Sequence, residues 1–288
     1  MTGTCKLYDL EEDLRESHIY PKFIIDYFRS TGSKFMRSFT EPNRRMQDGI
    51  KLYLLSEKAE QKFSTSEKWF AENIFRPYQD QNQKTLVYND NLYYFSLSFL
   101  WRILLLNLSD PEISKQPYYK LLCETQADWK LFLRDYKYPQ FDRIYLFLTD
   151  RVVSHNLDIK GVDYYMTRAL DGTIVSNDSN TFIAVYGKFL KFAFWGVLKG
   201  ANDEAKIADL RINPTTGNLK TPQNFEDQTM ISFFYNRIKQ LDFNNLTSDK
   251  QQEKILKEVM KDKESFLYSD AGKSILNDLQ NLDKKNGC

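Results

Sequence analysis

Apolar positions along the chain recur at helical spacing in some stretches and at strand spacing in others. Phe63, Phe70 and Ile74 repeat at helical intervals around Ser64-Thr-Ser-Glu67, which has capping-box spacing, until Pro77 ends the run. This predicts a helix over about 65–75. The polar stretch 79–84 has no period and reads as a loop and a candidate boundary. Residues 91–108 and 115–136 are long and apolar enough for two buried helices, separated by the breaker Asp110-Pro111.

After Pro139 the pattern changes to strand. Residues 141–148 are β-rich, 162–176 contain an Asp171-Gly172 turn signal, and 181–198 are dense in aromatic and β-branched residues. A meander of three or more strands follows. Helical spacing returns near the C-terminus, where Ser248-Asp-Lys-Gln251 has capping-box spacing. Ile255, Leu256, Val259 and Met260 form one apolar stripe and Ile275, Leu276 and Leu279 another, both expected to pack into the core. No internal repeat, heptad or low-complexity tract is present.

Composition narrows the class. In 288 residues, 42% are hydrophobic and 15% aromatic, which excludes disorder as a whole-chain description and leaves room for two domains. The run Leu100–Leu108 is interrupted by Arg102 and Asn107 and falls short of the roughly 20 apolar residues of a membrane span. The N-terminus lacks the basic start and apolar stretch of a secretory signal, so the expected setting is cytoplasmic, with no membrane partner. Three widely spaced cysteines, Cys5, Cys123 and Cys288, do not make a disulfide framework.

A net charge of +1 removes any global pull towards nucleic acid, so such binding needs a local patch. Residues 29–51 supply one, with six basic residues (Arg29, Lys34, Arg37, Arg44, Arg45, Lys51) against two acidic ones (Glu41, Asp48), a net of +4. Lys188, Lys191 and Lys199 hint at a second cationic surface, because no acidic residue lies between 181 and 199.

Phosphate-loop, dinucleotide-binding, nucleophile-elbow and His-Glu-x-x-His motifs are absent. His18 and His155 are the two histidines, so a multi-histidine metal cage cannot be built. His18, beside Glu16, suits a general base, since a neutral imidazole oriented by a carboxylate titrates near neutrality; it equally suits a packed core histidine. His155 reads as a loop residue, Cys123 as a buried helical thiol, and Cys288 as a disordered end.

Four segments taken together carry a resemblance: Leu14-Arg-Glu-Ser-His-Ile-Tyr-Pro-Lys-Phe23, Pro42-Asn-Arg-Arg-Met-Gln-Asp-Gly-Ile-Lys51, Leu54-Leu-Ser-Glu-Lys-Ala-Glu-Gln-Lys-Phe-Ser64 and Glu67-Lys-Trp-Phe-Ala-Glu-Asn-Ile-Phe75. In that order they resemble bacterial HNH-endonuclease-like proteins over about the first 80 residues. The resemblance implies an α+β chain: a ββα-metal-like unit over 1–80, docked on an accessory domain over 81–288 made of helices and an antiparallel β-meander. It implies a metal-dependent endonuclease that hydrolyses DNA phosphodiesters, with a place in bacterial anti-phage defence.

On that resemblance His18 matches the general base and Glu60 stands where the last histidine usually is. Glu60, Asn73 and Glu16 would hold Mg2+ or Mn2+, Asn43 would play the middle asparagine, and Arg37, Arg44 and Arg45 would grip phosphates.

The chain departs from this pattern at the two zinc knuckles. They correspond to Cys5-Lys-Leu-Tyr8 and Ser56-Glu-Lys-Ala59, so Tyr8, Ser56 and Ala59 occupy three of the four thiolate positions. One cysteine cannot complete a tetrahedral zinc site, and no structural zinc is expected. Apolar packing by Tyr8, Leu55 and Phe63 should take its place. The alternative implied function is a catalytically degenerate relative that binds nucleic acid or a defence-system protein. A third option is an interaction module whose aromatic strands, 186–195, present a binding face.

Overall fold

The computed structural model describes residues 1–32, 36–37, 45–46, 48–153, 159–200, 204–224, 226–240 and 248–286. The fold is α+β, as the alternation of helical and strand patterns predicts.

The N-terminal part is a three-stranded antiparallel sheet in the order β1 (Thr2–Thr4), β2 (Glu11–His18), β5 (Lys51–Ser56). Strand β2 reads Glu-Glu-Asp-Leu-Arg-Glu-Ser-His, with Leu14 its one apolar residue and so no hydrophobic alternation; a bulge leaves Leu54 of β5 without a register partner between the pairs Arg15–Leu55 and Glu16–Tyr53, and Leu14 and Ser17 on either side of this point are both buried. Between β2 and β5 lie α1 (Lys22–Ser30) and a short ribbon, β3 (Met36–Arg37) with β4 (Arg45–Met46).

Helix α2 (Glu57–Phe70) leaves β5 directly. It buries Ala59, Phe63, Ser66 and Phe70, a spacing of four, three and four residues that keeps one face on the core. The helix therefore begins eight residues before the predicted start, and Ser64-Thr-Ser-Glu67 lies in its interior. Glu67 does not cap; it pairs with Arg102. Nor does Pro77 end the run. A π-turn over Ala71–Phe75 is followed by α3 (Arg76–Gln79), and Pro77 falls in that helix's first turn, where no N–H partner is required.

After β6 (Thr85–Tyr88) comes α4 (Asp90–Leu108), buried on all sides from Leu92 to Leu104, which makes it the central helix. The short α5 (Pro111–Ser114) leads into α6 (Tyr119–Asp135), which packs along α4.

Next come β7 (Ile144–Leu148), α7 (Val162–Arg168), β8 (Leu170–Ser176), β9 (Ile183–Phe189) and β10 (Phe192–Lys199). The four strands form one antiparallel sheet in the order β7-β10-β9-β8, in accord with the predicted meander. Both faces of β9 and β10 are buried. Phe189 and Phe194 meet Phe95 and Phe99 of α4 on one face, while Tyr186 and Trp195 meet Phe233 and Phe234 of α8 (Gln228–Gln240) on the other. Gly196 permits the close approach of α6, since a Cβ there would lie 2.6 Å from the Trp129 ring. Strand β11 (Gly217–Lys220) pairs with β6.

One apolar cluster runs from Cys5 and Leu7 through Phe70, Phe95 and Phe194 to Leu219, so the core continues across the polar loop at 79–84. Residues 162–176 are not a hairpin. Asp171 and Gly172 sit inside β8, where Asp171 is engaged by Arg237 and a Cβ on Gly172 would lie 2.5 Å from Ile103. The second cationic surface is also absent as such. Lys188 is fully buried, with its ammonium on the carbonyls of Met166 and Leu190, and Lys191 pairs with Asp150 at 2.9 Å.

The chain ends in α9 (Asp249–Lys261), α10 (Lys263–Tyr268) and α11 (Asp270–Asn286). Their apolar stripes do not enter the core as expected: Leu256, Met260, Ile275, Leu276 and Leu279 are exposed. Among the described residues, no helix is long and apolar enough to cross a membrane.

Candidate functional site

The two segments compared above with zinc knuckles do come together. Residues 5–10 form the tight turn joining β1 to β2, closed by hydrogen bonds from Cys5 N to Leu10 O (2.9 Å) and from Asp9 N to Cys5 O (2.8 Å), with Asp9 in the left-handed region at φ 57°. Lys6 N donates to Leu54 O at 2.9 Å and Ser56 N donates to Cys5 Sγ at 3.4 Å, which fastens the turn to the end of β5. Lys58 Nζ lies 4.9 Å over the Tyr8 ring, and Cys5, Leu7, Leu55, Ala59 and Phe63 are fully buried. One thiol, two backbone amides, the Lys58–Tyr8 contact and apolar packing hold this junction.

His18 ends β2 at the opposite end of the β2–β5 ladder. It pairs in register with Lys51, whereas Leu14 pairs with Ser56. Its imidazole is 20% exposed, with Nε2 3.2 Å from Asp48 Oδ1. Asp48 also meets Lys51 Nζ at 2.6 Å, and Lys51 lies 3.9 Å from Glu16, which accepts from Tyr53 Oη at 3.3 Å. Glu16, His18, Asp48 and Lys51 therefore form one charged cluster at this edge. Behind it the His18 carbonyl accepts from Arg102 Nη1 at 3.1 Å, and the same guanidinium holds Glu67 at 2.7 Å.

Burial alone would raise the Asp48 carboxyl. The hydrogen bonds from Lys51, the Gly49 N–H and His18 outweigh it and hold the group down to about 2. Lys51 is raised, chiefly by its hydrogen bond to Asp48. A depressed carboxyl stabilises the fold above its unfolded value near 4, and that contribution is lost as pH falls towards 2. Because Asp48 is 44% exposed, the gain is discounted to about 1 kcal/mol. Asp48→Asn should flatten the pH dependence of urea unfolding between pH 4 and pH 2 by that amount and leave it unchanged above pH 5.

Glu60 does not join this cluster. It sits in the first turn of α2, beyond Ser56, and the ladder between Lys51 and Ser56 spans five rises of about 3.4 Å each. Its Oε1 is buried and accepts no hydrogen bond, a position that the helix N-terminus favours for a carboxylate. Asn73 lies 13 residues further along, exposed in the π-turn, and its amide donates to the Trp69 carbonyl at 2.9 Å. Glu16, Glu60 and Asn73 thus occupy three separate places and make no common ligand set for Mg2+ or Mn2+. Among the described residues, no three His, Cys, Asp or Glu side chains are grouped to hold a metal ion.

Arg37 and Arg45 are register partners on the β3–β4 ribbon, whose Met36 is buried in the main core. Asn43, Arg44, His155 and Cys288 lie outside the described residues. Asp48, Glu67 and Arg102 are members of the site that sequence reasoning passed over. Asp48-Gly49 ahead of the apolar run 52–55 is a usable turn signal, and Arg102 stands out as a charge inside an apolar run, whereas nothing local pairs Arg102 with Glu67. Comparison with protein-family models, with curated proteins and with solved structures finds no match.

Proposed function

We propose that this chain is a catalytically silent, HNH-like protein that binds DNA. The observation that carries the reading is the separation of the site residues: His18 is tied to Asp48 at one end of the β2–β5 ladder while Glu60 stands at the other. Metal-assisted hydrolysis needs a base and a metal-bound phosphate within a few ångströms, and these residues do not supply that arrangement. The junction of residues 5–8 with 56–59 suits a knuckle pair that has exchanged thiolates for packing.

Binding then falls to the basic stretch 29–51. Arg37 and Arg45 are register partners on a two-residue ribbon, so two basic residues stand at one position of its backbone ladder, which suits a partner rich in anions. The backbone phosphates of DNA provide such anions, and a ribbon that neutralises two or three of them gives sequence-independent affinity.

The test is fluorescence anisotropy with a duplex DNA probe, alongside incubation of plasmid with Mg2+ or Mn2+. Binding should weaken with salt at a log–log slope of about −2 to −3. Arg37→Ala/Arg45→Ala should lower affinity about tenfold without altering the circular dichroism spectrum, and plasmid should stay intact. An absence of salt-dependent binding removes the DNA-binding reading. Metal-dependent cleavage that His18→Ala abolishes would instead establish the endonuclease reading, which the oriented, partly exposed His18 imidazole favours.

A further inference from the structure

We propose that the cleft at the end of β7 is a binding site for a small amphipathic acid, a molecule with one carboxylate and a short apolar body. The cleft measures about 320 Å3, at the lower end of the range for ligand pockets. Liquid water takes about 30 Å3 per molecule, so there is room for about ten non-hydrogen atoms.

Three parts of the fold meet here and hold the walls. Tyr78 of α3 donates from Oη to Thr149 O at 2.9 Å, Thr221 N just after β11 donates to Lys84 O just before β6 at 2.9 Å, and Leu148 N donates to Gln223 Oε1 at 2.7 Å. Val152 is fixed through its carbonyl by Asn277 and Asn281 of α11, at 2.8 and 3.0 Å. The walls are thus in place before a ligand arrives, and binding need not order them.

Charge decides the kind of ligand. Asp150 is the one carboxylate in the lining, and two lysines flank it: Lys191 Nζ lies 2.9 Å from Oδ1 and Lys84 Nζ 3.6 Å from Oδ2. Burial alone would raise the Asp150 carboxyl; the bonds from Lys191 and the Arg151 N–H outweigh it and hold the group below its ordinary range, so it is ionised at neutral pH. Two ammonium groups on one carboxylate leave a net charge of +1 at this end of the cleft. A carboxylate is drawn to that excess, and an amine is repelled by it.

Gln223 adds a directed donor. Its Oε1 is committed to Leu148 N, which fixes the orientation of the amide, and its Nε2 donates to nothing among the described residues. Thr221, on the same wall, carries a buried hydroxyl oxygen that also lacks a partner. A carboxylate held by Lys84 and Gln223 takes up the excess charge and the free amide together. The apolar body then lies along Phe147, Leu148, Val152 and Met166, which line the rest of the cleft. The site shares no residue with the basic stretch 29–51 and does not depend on the DNA-binding reading.

Isothermal titration calorimetry of the full chain with octanoate, a carboxylate of the size the cleft admits, tests this. One site with a Kd of about 0.1–1 mM is expected, ordinary for so small a ligand. Octylamine, which carries a cation on the same body, should bind at least about tenfold more weakly. Lys84→Glu, at a side chain that is 54% exposed, and Val152→Trp, which fills the cleft, should each lower octanoate affinity at least about tenfold with circular dichroism unchanged. In nuclear magnetic resonance the Gln223 side-chain amide and the Leu148 N–H should move during the titration. No binding up to about 10 mM octanoate overturns the proposal. So does octylamine that binds as tightly, or octanoate binding that both variants leave intact, which would place the ligand on apolar side chains elsewhere.

Discussion

Asp171→Asn is expected to destabilise the protein by about 3–5 kcal/mol, the range for removing one partner of a buried ion pair. Asp171 is 4% exposed and receives a bidentate contact from Arg237, at 2.6 and 2.7 Å, together with a hydrogen bond from Tyr165 Oη at 2.9 Å. Tyr165 in turn lies 3.0 Å from Tyr186 Oη. Burial raises both phenols well above their ordinary range, so they stay neutral and leave Asp171 as the counter-charge for Arg237. Asparagine keeps the shape and one acceptor oxygen but loses the charge.

The same network holds Lys188, which burial pushes down to about 7 while Asp171 pulls the other way. Between pH 7 and the ordinary lysine value near 10.4, the unfolded chain binds a proton that the folded chain does not. Stability should therefore rise with pH across the lower part of this window, up to about pH 9, and the cost of charging Lys188 is fully present below pH 7. Urea unfolding at pH 7 and pH 9 reads both effects: the wild type should be more stable at pH 9, and Asp171→Asn should widen the gap. A variant that loses under 1 kcal/mol would show that Arg237 finds another counter-charge or solvent, and the network would not be the clamp described.

How much of this was legible in the sequence depends on the range of the cause. Helices α4 and α6 and the β7–β10 meander follow from patterns within a single window, and they appear where those patterns lie. Strand β2 was hidden because Leu14 is its one apolar residue, so it carries no period of two. The start of α2 was misplaced because a capping-box spacing inside a helix looks the same as one at its end. The C-terminal stripes have core spacing, yet it is the polar side of α11, through Asp278, that bonds to the start of α7.

For the site, the sequence singled out His18 and Glu16, which the fold does bring to one edge. It also singled out Glu60 and Asn73, which the fold leaves elsewhere. A linear pattern records order but not which end of a hairpin each residue occupies. Asp48 reaches His18 across 30 residues, and Arg102 reaches it across 84.

That last contact sets up the second large effect, Arg102→Met. Arg102 is 2% exposed on the central helix, and its guanidinium serves three elements at once: Ser98 O within α4 at 3.2 Å, His18 O at the end of β2 at 3.1 Å, and Glu67 on α2 at 2.7 Å. Methionine fills similar volume without the charge, so packing against Phe63 is largely kept. The cost comes from the Glu67 carboxylate, which is 20% exposed and loses its cation, and from the His18 carbonyl, which loses its donor. About 3–5 kcal/mol of destabilisation is expected in urea unfolding.

The double variant Arg102→Met/Glu67→Gln separates this cause from simple loss of packing. Neutralising Glu67 removes the stranded charge, and at least about 1 kcal/mol of stability should return, since replacing both members of a buried pair is milder than removing one. If the double variant is no more stable than Arg102→Met alone, the ion pair is not what joins the N-terminal sheet to α4. The His18 imidazole signals in nuclear magnetic resonance report on the site directly. They should shift in Arg102→Met while the signals of the Trp195 indole, on the far face of the sheet, stay in place.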